Sequence, residues 1–197
     1  MPARGGSLVS HMPDATAELL VRAVEAKKNG ELDLARSLLS RAVELLREES
    51  DQIALAQALR DLGEVERSLP ATDAGVAAYE EAVAIFKQQG AELKLAHAVR
   101  HLGDIQRHLG NLQQAAESYE TALSLYRKHP EASRLDFANC LRGAALLREK
   151  TSERLSAMVL WREAIMLYEE VGIAQGVEEG SRRIASLRLV EEEPRQT

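Results

Sequence analysis

The chain is short of most of the residues that mark enzymes, secreted scaffolds and membrane proteins. It has one cysteine in 197 residues, Cys140, which excludes an intramolecular disulfide and a cysteine-rich zinc module and fits a reducing compartment, the cytoplasm. Aromatic residues make up 4% of the chain and prolines number five, so a sandwich or barrel built from aromatic and β-branched strands is excluded. No apolar run exceeds five residues, as in Ala157–Trp161, against the roughly 20 that a membrane span requires. Cationic excess is also missing. The formal net charge is −6, which argues against nucleic acid or an anionic bilayer as a bulk electrostatic partner. No phosphate-cradling glycine loop, Gly-x-Ser-x-Gly, His-Glu-x-x-His or Cys-x-x-Cys occurs, so no signature of catalysis or of a bound cofactor is present.

More than half the chain is Ala, Leu, Glu, Arg and Lys, the strong helix formers. These residues are arranged in a repeat. Tyr79-Glu-Glu-Ala82, Tyr119-Glu-Thr-Ala122 and Trp161-Arg-Glu-Ala164 follow one another at 40 and 42 residues, and Leu39-Ser-Arg-Ala42 stands 40 residues upstream. Each is preceded by a second helical segment carrying Leu62-Gly63, Leu102-Gly103 or Ala144-Ala145, with Leu19 to Ala23 filling the slot in the first copy. Gly30, Pro70 and Gly110 punctuate the paired segments, and Thr151-Ser152 supplies N-cap residues at the fourth turn. Small residues on both helices allow close approach, and Leu39, Tyr79, Tyr119 and Trp161 are the large partners that fill the holes opposite. One such hairpin cannot bury both apolar faces, so successive hairpins must stack. After the fourth, Ile173, Val177, Gly180, Ile184 and Leu187 form one apolar stripe of a capping helix.

Val99, Leu102, Gly103, Ala115, Tyr119 and Ala122 carry a pattern that resembles the tetratricopeptide repeat family, and the resemblance covers about Leu19 to Leu187. The family's aromatic residue three positions after the glycine is replaced by Glu66, Gln106 and Arg148. The period exceeds the family's common length of about 34 and is similar to the longer repeats of kinesin light chains and bacterial peptide-sensing regulators. This resemblance implies an all-α, right-handed superhelical solenoid of four antiparallel hairpins plus the C-terminal cap. Residues 13–190 are expected to form one solenoid domain, between a disordered leader or cloning remnant at 1–12 and a disordered tail at 191–197.

In proteins of this resemblance the first helix of each hairpin lines a concave groove. The face opposite its core positions carries Lys27, Lys28, Arg60, Arg67, Arg100, Arg107, Arg142, Lys150 and Arg182, with His97 beside Arg100, against Glu64, Asp104, Glu149 and Glu178. The second helices hold the acidic excess. Arg60, Arg100 and Arg142 recur with the repeat, so they form a ladder suited to gripping carboxylates. The expected function is therefore a non-catalytic protein-interaction scaffold that takes a peptide of a partner, acidic in character, with no cofactor, nucleic acid or membrane involved. Three alternatives stand beside it. Arg60–Glu64 and Arg100–Asp104 are i, i+4 pairs that could simply brace their own helices. A peptide-sensing regulatory module fits the same repeat. His97, His101, Asp104 and His108 fall on one helical stripe, from which His97 and His101 could chelate a metal; otherwise the stripe is a solvated inner face.

Overall fold

The structure is a computed structural model, which describes residues 12–69 and 73–189. The expected leader up to residue 11, the turn at Pro70 and the tail 191–197 lie outside the described residues. Met12, placed in the leader by sequence, opens a helix instead.

Among the described residues there are nine helices and no strand: α1 (Met12–Lys28), α2 (Leu32–Glu48), α3 (Gln52–Arg67), α4 (Asp73–Gln88), α5 (Glu92–Leu109), α6 (Leu112–Lys128), α7 (Arg134–Lys150), α8 (Arg154–Glu170) and α9 (Ala174–Leu189). They fall into two compact units, α1–α4 within Met1–Gln89 and α5–α9 within Gly90–Thr197. In the first unit α1 pairs with α2 and α3 with α4, and α2 packs on α3. In the second α5 pairs with α6 and α7 with α8, α6 packs on α7, and α9 packs on α8. The fold class is the all-α helical-repeat solenoid expected.

The turns repeat one device. The chain leaves α1, α5 and α7 through a bond from an amide to the carbonyl five residues back: Glu31 to Ala26, Asn111 to Gln106 and Glu153 to Arg148. This Schellman geometry needs a left-handed residue just before the donor, which Gly30 (φ 79°) and Gly110 (φ 86°) supply. In the fourth turn Ser152 holds that position at φ 62°. Thr151-Ser152 is therefore not the N-cap expected from sequence. Thr151 closes α7, Glu153 precedes α8, and the Thr151 hydroxyl donates to Glu153 Oε1 at 2.7 Å.

Small-against-large packing holds the pairs together. Ala42, Ala82, Ala122 and Ala164 are fully buried, as are Tyr79 and Trp161, while Tyr119 is 1% exposed. A Cβ added at Gly63 would stand 2.8 Å from the Tyr79 ring, and one at Gly103 would stand 3.1 Å from the Tyr119 ring. Tyr119 also meets a second glycine, Gly143 of α7, where a Cβ would stand 2.7 Å away. The cap follows the same rule, with Gly176 under the Tyr168 ring and Gly180 against Ile165 and Trp161. Ile173, first member of the expected stripe, precedes α9 and is exposed, whereas Gly180 and Ile184 are buried.

Candidate functional site

In each unit the first helices form one layer, bridged from hairpin to hairpin by side chains, and this layer carries the basic residues singled out by sequence. In the first unit Lys27 of α1 reaches Glu64 of α3, Nζ to Oε2 at 2.8 Å. Burial opposes ionisation of Glu64, but the Lys27 hydrogen bond and the charges of Lys27, Arg67 and Arg60 hold its carboxyl below the ordinary range. With Glu64 taken, Arg60 does not form the expected i, i+4 pair. It donates from Nε and Nη2 to Asp61 Oδ1 at 3.0 and 2.6 Å. Lys28 and Arg67 are exposed, and among the described residues neither has a carboxylate within ion-pair distance.

In the second unit α5 carries a buried polar cluster where a solvated face was expected. Arg100 and His101 are only 7% and 8% exposed. Arg100 donates from Nη1 to Asp104 Oδ2 at 3.1 Å, the i, i+4 pair read from sequence, and its Nη2 lies 2.5 Å from His101 Nε2. Because guanidinium only donates, His101 Nε2 must accept there, and its lone pair is committed. His97 Nε2 lies 3.8 Å from Asp136 Oδ1 of α7, and the two histidine rings meet edge-on at 4.6 Å. His108 is exposed at the far end of the helix. Among the described residues no three His, Cys, Asp or Glu side chains converge in a way that could hold a metal ion. Tyr119 ties the cluster to α6: its hydroxyl donates to Asp104 Oδ1 at 2.6 Å and accepts from Arg107 Nε at 3.2 Å. Burial, reinforced by Asp104, pushes that hydroxyl's pKa well up. Cys140 is a buried core residue, and burial pushes the pKa of its thiol up.

From α7 the bridges run to α9. Arg142 binds Glu179 through Nε and Nη2 at 2.6 and 3.0 Å. Glu149 accepts from Trp161 Nε1 at 2.6 Å and from Arg183 Nη1 at 3.1 Å. Lys150 is exposed and, among the described residues, reaches the Arg107 carbonyl at 3.4 Å and no carboxylate. Arg182 is exposed, and among the described residues it has no carboxylate within ion-pair distance. The three arginines that share one repeat position thus have three different surroundings: Arg60 on its sequence neighbour, Arg100 buried, and Arg142 clamped to the cap.

Sequence reasoning missed Asp61, Asp136, Glu179 and the anchors' polar tips. A signal existed for part of this. Lys27–Glu64 and Arg142–Glu179 both span 37 residues, about one repeat less one helical turn, the offset that places a residue beside its neighbour on the next first helix. It also missed a cluster at the start of α5. His129 stands 2.5 Å from Glu92 and 2.7 Å from Glu131, and Lys128 Nζ lies 2.7 Å from both Glu92 oxygens. These carboxylates raise the His129 pKa, Glu92 foremost.

Comparison with known proteins places this architecture. The family model described as SNAP, soluble NSF attachment protein, matches residues 8–126 and again 50–186. No curated protein matches the chain. BtubC (BKLC) from P. vanneervenii is 19% identical with a TM-score of 0.68, over 94% of this chain and 86% of that one. A Rap protein complexed with Competence and Sporulation Factor is 16% identical with a TM-score of 0.74, over 90% of this chain and 49% of that one. This chain therefore spans about half that protein's length. The TPR-like repeats of a Podospora anserina kinesin light chain are 17% identical with a TM-score of 0.57, over 94% of this chain and all of that one. At such identities the likeness is one of fold.

Proposed function

This chain belongs to the soluble NSF attachment protein family of TPR-like helical-repeat proteins, and from that premise we propose that it is a non-catalytic interaction module of the cytoplasm. Its partner is a protein, recognised through an acidic peptide segment laid along the first-helix layer of a unit. The observation that carries the reading is the distribution of unpaired charge. Lys28 and Arg67 in the first unit, and Lys150 and Arg182 in the second, are exposed cations of the first-helix layers without a carboxylate partner among the described residues, whereas Glu48, Glu80 and Glu169 are exposed acids of the second helices without a basic partner among them.

Within each unit, its pair of these cations makes first contact with a ligand. Arg60 and Arg142 join by exchanging Asp61 and Glu179 for ligand carboxylates, an exchange of like for like that gives modest net affinity. Arg100 and Arg107 hold Asp104 and Tyr119 in place, and His97 sits at the margin against Asp136. The buried thiol of Cys140 fits a reducing compartment. The Rap neighbour, solved with Competence and Sporulation Factor, supports a second reading as a sensing module. A fall in radius of gyration on adding peptide would favour that reading over a rigid scaffold.

Fluorescence anisotropy with labelled Glu-rich, neutral and Lys-rich peptides, at about 50 and about 300 mM salt, tests the proposal. Binding should favour the acidic peptide and weaken with salt. It should also drop several-fold in a variant carrying Lys28→Ala, Arg67→Ala, Lys150→Ala and Arg182→Ala. Preference for the neutral or basic peptide, or affinity unchanged in the variant, would refute it.

A further inference from the structure

The repeat supplies its own control for what a second helix should show to water, and α8 departs from it. Leu155, Val159 and Met166 are 73%, 59% and 62% exposed. With Arg162 they fall at i, i+4, i+7 and i+11, one straight stripe along the helix. The equivalent residues in α6 are Gln113, Glu117, Glu120 and Ser124; in α4 they are Asp73, Ala77, Glu80 and Ala84; in α2 they are Asp33, Ser37, Ser40 and Glu44. Position by position, the other copies carry polar or small residues where α8 carries three large apolar ones. Packing within the repeat does not require the change, because Trp161, Ala164 and Leu167 already bury the opposite face. The charge is inverted as well. Where α6 and α4 have glutamate, α8 has Arg162, exposed and, among the described residues, without a carboxylate within ion-pair distance.

We propose that the outer face of α8 is a second docking site, distinct from the first-helix layer, for an amphipathic helix of a partner protein that presents an apolar stripe interrupted by an acidic residue. A helix fits because the exposed side chains follow helical spacing along one line, which another helix matches with its own i, i+4, i+7 positions. An acid is required opposite Arg162, because seating an apolar helix over an unpaired guanidinium would leave a desolvated charge. A second copy of this chain is a poorer occupant. Antiparallel self-pairing about the centre of the stripe brings the two Arg162 side chains together near the axis. Three side chains also offer at most a few hundred Å², against roughly 800 Å² per partner in a stable interface. The site is therefore suited to a transient partner.

The test replaces the stripe with the protein's own alternative: a triple variant, Leu155→Gln, Val159→Glu and Met166→Ser, carries what α6 carries at the same exposed positions, and Arg162→Glu is made separately. Circular dichroism confirms that the helical content of each is retained. The probes are two designed amphipathic peptides identical except for Glu or Lys at the position facing Arg162, with affinities read by anisotropy and oligomeric state by analytical ultracentrifugation. Wild type should bind the Glu peptide at least tenfold more tightly than the triple variant does, and Arg162→Glu should reverse the preference to the Lys peptide. Equal binding to wild type and triple variant, or no dependence on the peptide's charge, would overturn the proposal. So would a wild-type dimer that the triple variant abolishes, which assigns the face to a second copy, or binding that appears only after deletion of residues 190–197, which assigns it to the chain's own end.

Discussion

Replacing Gly143 with alanine should destabilise the second unit, although alanine is the better helix former. Gly143 lies on α7 facing the Tyr119 ring, and an alanine Cβ there would stand 2.7 Å from Cε1 and 2.9 Å from both Cζ and the hydroxyl oxygen. Ordinary contacts begin near 3.4 Å, so the ring would have to retreat. It has nowhere to go. Its other side rests on Gly103, where a Cβ would already be only 3.1 Å away, and its hydroxyl is held at 2.6 Å by Asp104. Overpacking a rigid site costs about 1–3 kcal/mol, and with the ring fixed on three sides the upper end applies. The glycine-to-alanine change returns roughly 1 kcal/mol of helix propensity, which leaves a net loss of about 2 kcal/mol, or roughly 4–8 °C in Tm for a chain of this size. Trp161, the only tryptophan, is buried in the same unit, so its fluorescence during urea unfolding reports on the unit concerned. The double variant Gly143→Ala, Tyr119→Leu should show the clash relieved, losing about 1 kcal/mol less than the sum of the two single variants. A Gly143→Ala protein as stable as wild type, or additivity in the cycle, would refute the claim that this glycine exists to admit the tyrosine ring.

Ser152→Gly should stabilise the chain by about 1 kcal/mol, since an L-residue pays that much to hold the left-handed conformation that Gly30 and Gly110 hold freely; an unchanged urea midpoint would mean that the turn is not strained. The His129 cluster should give a pH-dependent term. The histidine's raised pKa means that its contribution is fully present below about pH 6.5 and is lost as pH rises through the raised value. Glu92 and Glu131 have lowered pKa values, through the hydrogen bonds of Lys128 and His129, so their contribution is present above about pH 4.5 and is lost as pH falls through the lowered values. The difference in Tm between wild type and His129→Gln should therefore be largest between those limits and should shrink toward alkaline pH; a constant difference would show that the pairs contribute nothing.

The recurrence of Tyr79, Tyr119 and Trp161 with Ala82, Ala122 and Ala164 was enough to establish helices, hairpins and core anchors, because helical periodicity and close helix contact are read from residues a few positions apart. The surroundings of Arg60, Arg100 and Arg142 were not readable in this way. Identical spacing made them one ladder, yet Arg142 binds Glu179 of another helix, Arg60 turns to Asp61 because Lys27 of α1 takes Glu64, and Arg100 is buried on Asp104 of its own helix. Gly143 shows the same limit from the packing side. Its repeat equivalents are Asp61 and His101, so nothing in the pattern marked it as the second wall of the Tyr119 site. Sequence by itself determined the elements and their pairing, which short-range periodicity encodes. Only the tertiary structure decided which charges are satisfied and which remain exposed, because contacts between first helices, such as Lys27–Glu64 and Arg142–Glu179 across 37 residues, take some carboxylates and leave other side chains to their local neighbours or to solvent.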